Sequence, residues 1–483
     1  MGTRPAAAPA LVFPDDFTVG VATAAYQIEG GARDDGRGPS IWDTFSHTPG
    51  RIRDGSTGDV AIDHYHRLES DLDDLARLGV DAYRFSVSWS RVLPTGAGRA
   101  NRAGLDFYER LVDGLLARGI RPALTLYHWD LPQALEYEGG WTSRETAFRF
   151  GEYADLVGRA LGDRVDTWMT LNEPWCAAFL GHASGVMAPG RTDPVAALRA
   201  AHHLNLAHGL GMQALRPHAH DGAQLGVALN IQVPRGVGDD AGTAEQRIDD
   251  TANQSFLGPM LRGAYPAGLR ERTTELTDWS FVRDGDLDQI RQPLDFLGVN
   301  YYSTLRVRLW DGVTERSTAD GHMPGASPWV GAEDVEFLPQ DPPYTAMGWN
   351  IAPEALAGIL RGLSAEFPDL PLAVTENGAA FDDVVRPDGT VDDADRIDHI
   401  GAHLTAIHDC LRDGVDVRGF YLWTWIDNFE WGHGFVPKFG IMRVEDGSLA
   451  RIAKRSFDWY SAFARTKRLH GDVGGVADER GVA

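Results

Sequence analysis

Eight short β-rich runs, each followed by a stretch with helical spacing, limit this chain to few architectures. They cover residues 18–22, 82–89, 122–127, 165–171, 224–230, 295–302, 370–375 and 417–425. Between them, Leu105, Tyr108, Leu111, Val112, Leu115 and Leu116 recur at the spacing of one helix face, and 353–367 opens on Pro353, a residue suited to a first helical turn. No all-β block and no Pro/Ser-rich linker interrupts the alternation, which predicts one continuous α/β domain. Eight strands predict a single (β/α)8 TIM barrel over residues 11–470, with long loops on the C-terminal face of the strands. Residues 1–10 and 471–483 are small or polar and are expected to be disordered tails.

The loops after the fourth, fifth, sixth and eighth runs are long, the longest spanning 303–349. Long loops on one face build pocket walls. Two glutamates lie just past run ends, Glu173 in TLNEP and Glu376 in VTENG. In a parallel architecture the chemistry sits at the carboxyl ends of the strands, so the two acids can share one pocket. A carboxyl pair suits glycoside hydrolysis, in which one group is protonated to release the leaving oxygen and the other is ionised to attack or to activate water. At about 5 Å and an effective dielectric near 20, two carboxylates repel by roughly 3 kcal/mol, so one tends to keep its proton. Glu173, flanked by Pro174 and Trp175, is the candidate acid. Arg84, in YRFSVSWSR near the second strand tip, is placed to keep Glu376 ionised as the nucleophile. Taken singly, Asn-Glu-Pro and Glu-Asn-Gly also fit ordinary turns.

The formal charge of −24 disfavours nucleic acid, anionic membranes and phosphorylated polyanions and leaves a neutral substrate. No apolar run approaches the roughly 18 residues that span a bilayer. MGTRPAAAPA lacks the continuous apolar segment of a signal peptide, and Cys176 and Cys410 cannot make a disulfide framework, so a cytoplasmic location is expected. His64 with His66, and His202 with His203, have no third ligand at a suitable spacing; they read as solvated or capping histidines, and no metal is expected. Asp71, Asp73 and Asp74 read as a solvated helix face. No dinucleotide or phosphate-loop fingerprint occurs, and no cofactor is expected. A barrel aldolase needs a lysine at a strand tip, whereas Lys438, Lys454 and Lys467 all lie late in the chain. The oligomeric state, monomer or homo-oligomer, is left open.

Seven blocks occur in order: FTVGVATAAYQIEG from Phe17, YRFSVSWSR from Tyr83, TLYHWDLP from Thr125, TLNEP from Thr170, GVNYYS from Gly298, VTENG from Val374 and YLWTWIDNFEW from Tyr421. Together they resemble glycoside hydrolase family 1, the β-glucosidase family, from end to end. The resemblance implies a (β/α)8 barrel, Glu173 as acid/base, Glu376 as nucleophile, and retention through a covalent glycosyl-enzyme. Retention needs carboxyls about 5–5.5 Å apart. It further implies that Gln27, His128, Asn172, Glu430 and Trp431 bind hydroxyls of the nonreducing sugar, Asn172 at the 2-hydroxyl, with Trp423 as a stacking floor. Trp129 and Trp349 are grouped with these substrate-binding residues. Tyr302 resembles a phenol that bonds the nucleophile, and Asn300, two positions earlier, is grouped with it and Arg84 as catalytic support. His128 also fits a structural histidine, and Trp129, Trp423 and Trp425 also fit core aromatics.

The implied activity is an exo-acting β-glucosidase on cello-oligosaccharides or aryl and alkyl β-glucosides. Alternatives are a broad β-galactosidase/β-fucosidase of the same family and a non-catalytic sugar-binding barrel, which would lack one of the two glutamates. Glutamate rather than Gln at 173 favours O-glycosides over thioglucosides, and Glu430 disfavours phosphosugars. His182 and Lys438 stand where Tyr and Arg are common in the family, and both are expected near the outer pocket.

Overall fold

A parallel strand covered on both faces is apolar throughout rather than alternating, and the eight runs fold accordingly. In the computed structural model, which describes residues 10–317 and 326–470, they are β1 (Thr18–Ala22), β2 (Ala82–Ser86), β3 (Arg121–Tyr127), β4 (Thr167–Asn172), β5 (Gln224–Asn230), β6 (Phe296–Asn300), β7 (Leu372–Asn377) and β8 (Val417–Trp423). The tails expected to be disordered lie outside the described residues except for residue 10, as does 318–325 of the longest loop. Each strand pairs in parallel with the next in the chain, and β8 closes on β1 with Gly419 opposite Thr18 and Trp423 opposite Ala22. Every residue of β2, β6 and β7 is buried. The result is a closed eight-stranded parallel barrel.

The outer layer contains α1 (Leu68–Leu78), α2 (Arg102–Ala117), α3 (Arg144–Leu161), α4 (Pro194–Leu215), α5 (Ala241–Ala252), α6 (Pro353–Glu366), α7 (Ala394–Arg412) and α8 (Arg455–Thr466). Helix α2 buries Leu105, Tyr108, Leu111, Val112 and Leu115, but Leu116 is 40% exposed and falls outside the expected stripe. The Asp193 side chain caps α4 by accepting from Val195 and Ala196 N–H at 2.9 and 3.0 Å, and Pro353 opens α6. No described helix is long and apolar enough to cross a membrane.

Three expectations are corrected. The 303–349 loop contains strands Leu305–Leu309 and Val335–Leu338, which form a three-stranded sheet with Pro234–Gly236 from the loop after β5. Its sequence LRVRL buries Leu305 and Val307 with period two. His64, His202 and His203 are buried rather than solvated, and His202 bonds Asp286 and Tyr265 at 2.8 and 2.9 Å. Asp71 leaves the expected solvated face: it is fully buried, touching His64 Nδ1 at 2.7 Å and Arg451 Nε and Nη2 at 2.7 and 2.9 Å.

Asp71 thus ties α1 to strand Arg451–Ala453 across nearly the whole chain. Burial pushes its pKa up, but His64 and Arg451 outweigh burial and hold it below the usual carboxylate range. Replacing Asp71 with Ala strands a buried guanidinium, and we expect a loss of about 3–5 kcal/mol in denaturant unfolding. A loss under about 1 kcal/mol would mean that the pair contributes little.

Candidate active site

The two glutamates reach one pocket by different routes. Glu173 follows the last residue of β4 in a left-handed conformation, φ +44°, with its N–H bonded to the Ala228 carbonyl at 2.9 Å. A non-glycine residue there costs on the order of 1 kcal/mol, a cost the surrounding bonds offset. Glu376 lies within β7, in register with Asn300 of β6, and not beyond the strand as expected. The glycine of VTENG follows from close approach: a Cβ on Gly378 would meet the Trp423 carbonyl oxygen at 1.7 Å. Only glycine lets the chain after β7 pass the tip of β8.

Behind the carboxyls runs a continuous web of donors. Arg84, 1% exposed, reaches Glu376 Oε1 through Nη1 at 2.6 Å and Asn172 Oδ1 through Nη2 at 2.6 Å. Asn300 Nδ2 donates to Asn172 Oδ1 at 3.0 Å and to Glu173 Oε1 at 2.8 Å. The Tyr302 hydroxyl donates to Glu376 Oε2 at 2.8 Å. Asn172 Oδ1 accepts twice, which fixes its Nδ2 as donor to His128 Nε2 at 3.1 Å. His128 is therefore neutral with its proton on Nδ1, and burial first and the Arg84 charge second hold its pKa well below the ordinary histidine value.

Glu173 is pushed up to about 8 by burial and then by the Glu376 charge, against the bonds from Asn300 and Cys176. Burial raises Glu376 above the usual carboxylate range as well, and Arg84 and Tyr302 offset part of that rise. Of the two, Glu376 ionises first. A third acid, Glu430, is also pushed up to about 8 by burial and by Glu376. One guanidinium faces three carboxyls, and the proton stays on the two it does not touch.

The pocket encloses about 1120 Å³ counting its open mouth. Its lining includes Glu173, Glu376, Glu430, His128, Asn300 and Tyr302, with Trp129, Trp349, Trp423 and Trp431. Arg84, Asn172 and Gln27 stand behind this lining and are buried. Gln27 Nε2 donates to Asn428 Oδ1 at 3.1 Å, the Phe429 carbonyl at 2.8 Å and Glu430 Oε2 at 3.3 Å. Gln27 Oε1 and His128 Nδ1 are buried without a hydrogen-bond partner among the described residues. Such groups cost about 1–3 kcal/mol each unless a ligand satisfies them, and sugar hydroxyls supply both donors and acceptors.

Every sequence-derived site residue therefore falls on this pocket or on the web behind it. Trp425 is fully buried and does not line it. His182 and Lys438 do not themselves line the pocket, although Leu180 and Phe439 close to them in the chain do; His182 is buried in the wide helical turn Cys176–Ser184, bonded to the Ala177 carbonyl at 3.0 Å. The sequence reading missed Cys176, Asn230, Met187, Met347, His433 and Phe439 among the lining residues. Only Asn230, a polar residue ending a strand, carried a positional signal.

A barrel with two buried carboxyls in one pocket, one at the carboxyl end of β4 and one at that of β7, defines a glycosidase-type site. The profile of glycosyl hydrolase family 1 matches residues 10–469, and the chain belongs to that family. It is 51% identical over 466 residues to a bifunctional β-D-glucosidase/β-D-fucosidase of Bifidobacterium breve, covering 94% of this chain and 98% of that one. It is 43% identical to β-glucosidase A of Thermotoga maritima, covering 95% and 98%. A solved family 1 β-glucosidase from Thermotoga maritima superposes with a TM-score of 0.89 at 42% identity, over 96% of this chain and 100% of that one.

The electrostatic coupling is directly measurable. In Glu376→Gln the neighbouring charge is gone, and the Glu173 pKa should fall below about 8. Carbon-13 NMR of the labelled carboxyl reads this shift; an unmoved pKa would show that burial alone sets it.

Proposed function

We propose that this chain is a retaining, exo-acting β-glycosidase that removes terminal nonreducing β-D-glucosyl residues. The observation that carries this reading is the split between the two carboxyls: Glu173 keeps its proton up to about 8, while Arg84 and Tyr302 favour ionised Glu376. Glu376 attacks the anomeric carbon while Glu173 protonates the glycosidic oxygen, giving a covalent glycosyl-enzyme. Glu173, now ionised, takes a proton from water as that water attacks, and the second inversion restores the β configuration. Asn172 meets the 2-hydroxyl, where contacts strengthen in the transition state. Gln27, His128, Glu430 and Trp431 bind the remaining hydroxyls, Trp423 underlies the ring, and Trp129 and Trp349 complete the walls. Asn300 and Tyr302 hold the reacting carboxyls in place.

The named β-glucosidase relatives support glucose as the sugar, and a net charge of −24 supports neutral substrates such as cello-oligosaccharides or aryl and alkyl glucosides over polyanions. We place the activity in one domain, 11–470, acting in the cytoplasm without nucleic-acid partners. The Bifidobacterium breve relative's second activity favours β-D-fucosides as additional substrates. A kinetic panel should then give kcat/KM for an aryl β-D-fucoside within about tenfold of the glucoside, a gap of about 1.4 kcal/mol; a far larger gap would remove this second substrate.

The roles separate by rescue. Glu376→Gly should lower hydrolysis of an aryl β-glucoside at least about ten-thousandfold, and azide should restore turnover with an α-glycosyl azide as product. A β-azide, or retained hydrolysis, would exclude the assigned nucleophile. Glu173→Ala should cost about 10²–10⁴-fold with poor leaving groups and little in glycosylation by activated ones. Activity with poor leaving groups should also fall as pH rises through Glu173's value of about 8, because the protonated form is needed.

A further inference from the structure

Glu173 has two oxygens with different partners. Asn300 Nδ2 donates to Oε1 at 2.8 Å. The orientation of that amide is fixed, because the same Nδ2 donates at 3.0 Å to Asn172 Oδ1, an oxygen that also accepts from the donor-only Arg84, while its Oδ1 accepts from Thr375 Oγ1 at 2.7 Å. An amide N–H can only donate, so Oε1 must accept in both protonation states, and the carboxyl proton belongs on Oε2. The neighbour of Oε2 is Cys176, with Sγ at 3.3 Å. Cys176 opens the wide helical turn after β4, its own N–H bonded to the Glu173 carbonyl at 3.0 Å. It is 7% exposed and forms part of the pocket wall.

We propose that Cys176 is a positioning residue for the acid/base: its thiol holds Glu173 Oε2 toward the glycosidic oxygen while competing only weakly for the proton that Oε2 must deliver. The inference rests on the reading of Glu173 as acid/base given above. A sulfhydryl suits the task because it is a weak donor and a weak acceptor. It donates to the ionised carboxylate after leaving-group departure and yields to the substrate oxygen before it. A hydroxyl in the same place would bond the carboxylate more firmly, and an aliphatic side chain would not bond it at all. Burial and the adjoining carboxylate keep the sulfur as a thiol rather than a thiolate. As a donor it lowers the Glu173 pKa, against the rise set by burial and Glu376.

The test uses two variants with opposite expected signs. The pH dependence of kcat/KM for phenyl β-glucoside, a poor leaving group, is recorded for the wild type, Cys176→Val and Cys176→Ser. The Val variant loses a donor to the carboxylate, so its alkaline limb should move up by about half a pH unit; the Ser variant gains a stronger donor, so its limb should move down by a similar amount. Ser should also lower kcat/KM for phenyl more than for dinitrophenyl β-glucoside, whose departure needs no proton. Turnover of the dinitrophenyl substrate and the unfolding temperature show that each variant is folded, and either variant alone suffices if the other is not. A limb that stays put, or moves the same way in both, overturns the proposal, since a purely structural cysteine changes rate without moving the limb. Glu173→Ala is measured alongside. If it shows no leaving-group dependence, the acid/base reading and this proposal fall together; if it does and the Cys176 variants do not shift, only the role of Cys176 falls.

Discussion

Arg84 is the guanidinium that reaches into the three carboxyls of the pocket, and its placement decides which of them carries charge. A buried carboxylate without a partner is costly enough that it protonates instead. Arg84 bonds Glu376 and turns its other nitrogen to Asn172, leaving Glu173 and Glu430 to neighbours that are neutral. The asymmetry that double displacement needs is therefore present before any sugar arrives. It comes from which donors reach which carboxyl, since Glu173 and Glu376 are comparably buried.

Such a web works only if the strand tips that carry it keep their spacing. The register of the barrel supplies part of this, with Glu376 opposite Asn300 and Asn172 opposite Ala228. Buried ion pairs supply another part. Lys454, fully buried, contacts Asp427 at 2.9 Å and also Asp383, and Arg396 contacts Asp383 at 3.1 Å and Asp393. These contacts join the loops after β7 and β8 to the starts of α7 and α8. Fixed dipoles and charges of this kind spare the site reorganisation during reaction. Removing a single member leaves an uncompensated charge, which is why the loops hold one arrangement.

Much of this was legible in the chain. All eight barrel strands were, because parallel strands buried on both faces leave apolar runs that stand apart from the helical periods between them. The carboxyl pair and the guanidinium followed from strand-tip position and from ordered blocks of sequence. Two of the misses, Asp71 and His202, have a shared cause: each depends on a partner far away in the polymer. Asp71 looks like one of several surface acids until Arg451 folds against it, and His202 looks solvated until Asp286 arrives. Cys176 differs in kind. Its partner is only three residues away, but the contact depends on the left-handed turn at Glu173, which no local propensity announces. Leu305–Leu309 is the exception, since its alternation was visible and was passed over as loop.

The sugar-binding side shows the reverse economy. Gln27 Oε1 and His128 Nδ1 are buried with no partner among the described residues, although their side chains are otherwise held by Asn428, Phe429, Glu430 and Asn172. A protein selected for stability alone would have paired or removed them. Held in place but unsatisfied, they penalise the empty pocket and favour any ligand that offers hydroxyls at those two points. The penalty in the free protein thereby becomes selectivity in the complex, because a ring lacking a matching hydroxyl leaves the same atoms unpaired. Rigid aim with unfilled valence is the same device the web applies to Glu376, directed there at a reacting carbon and here at the sugar's identity.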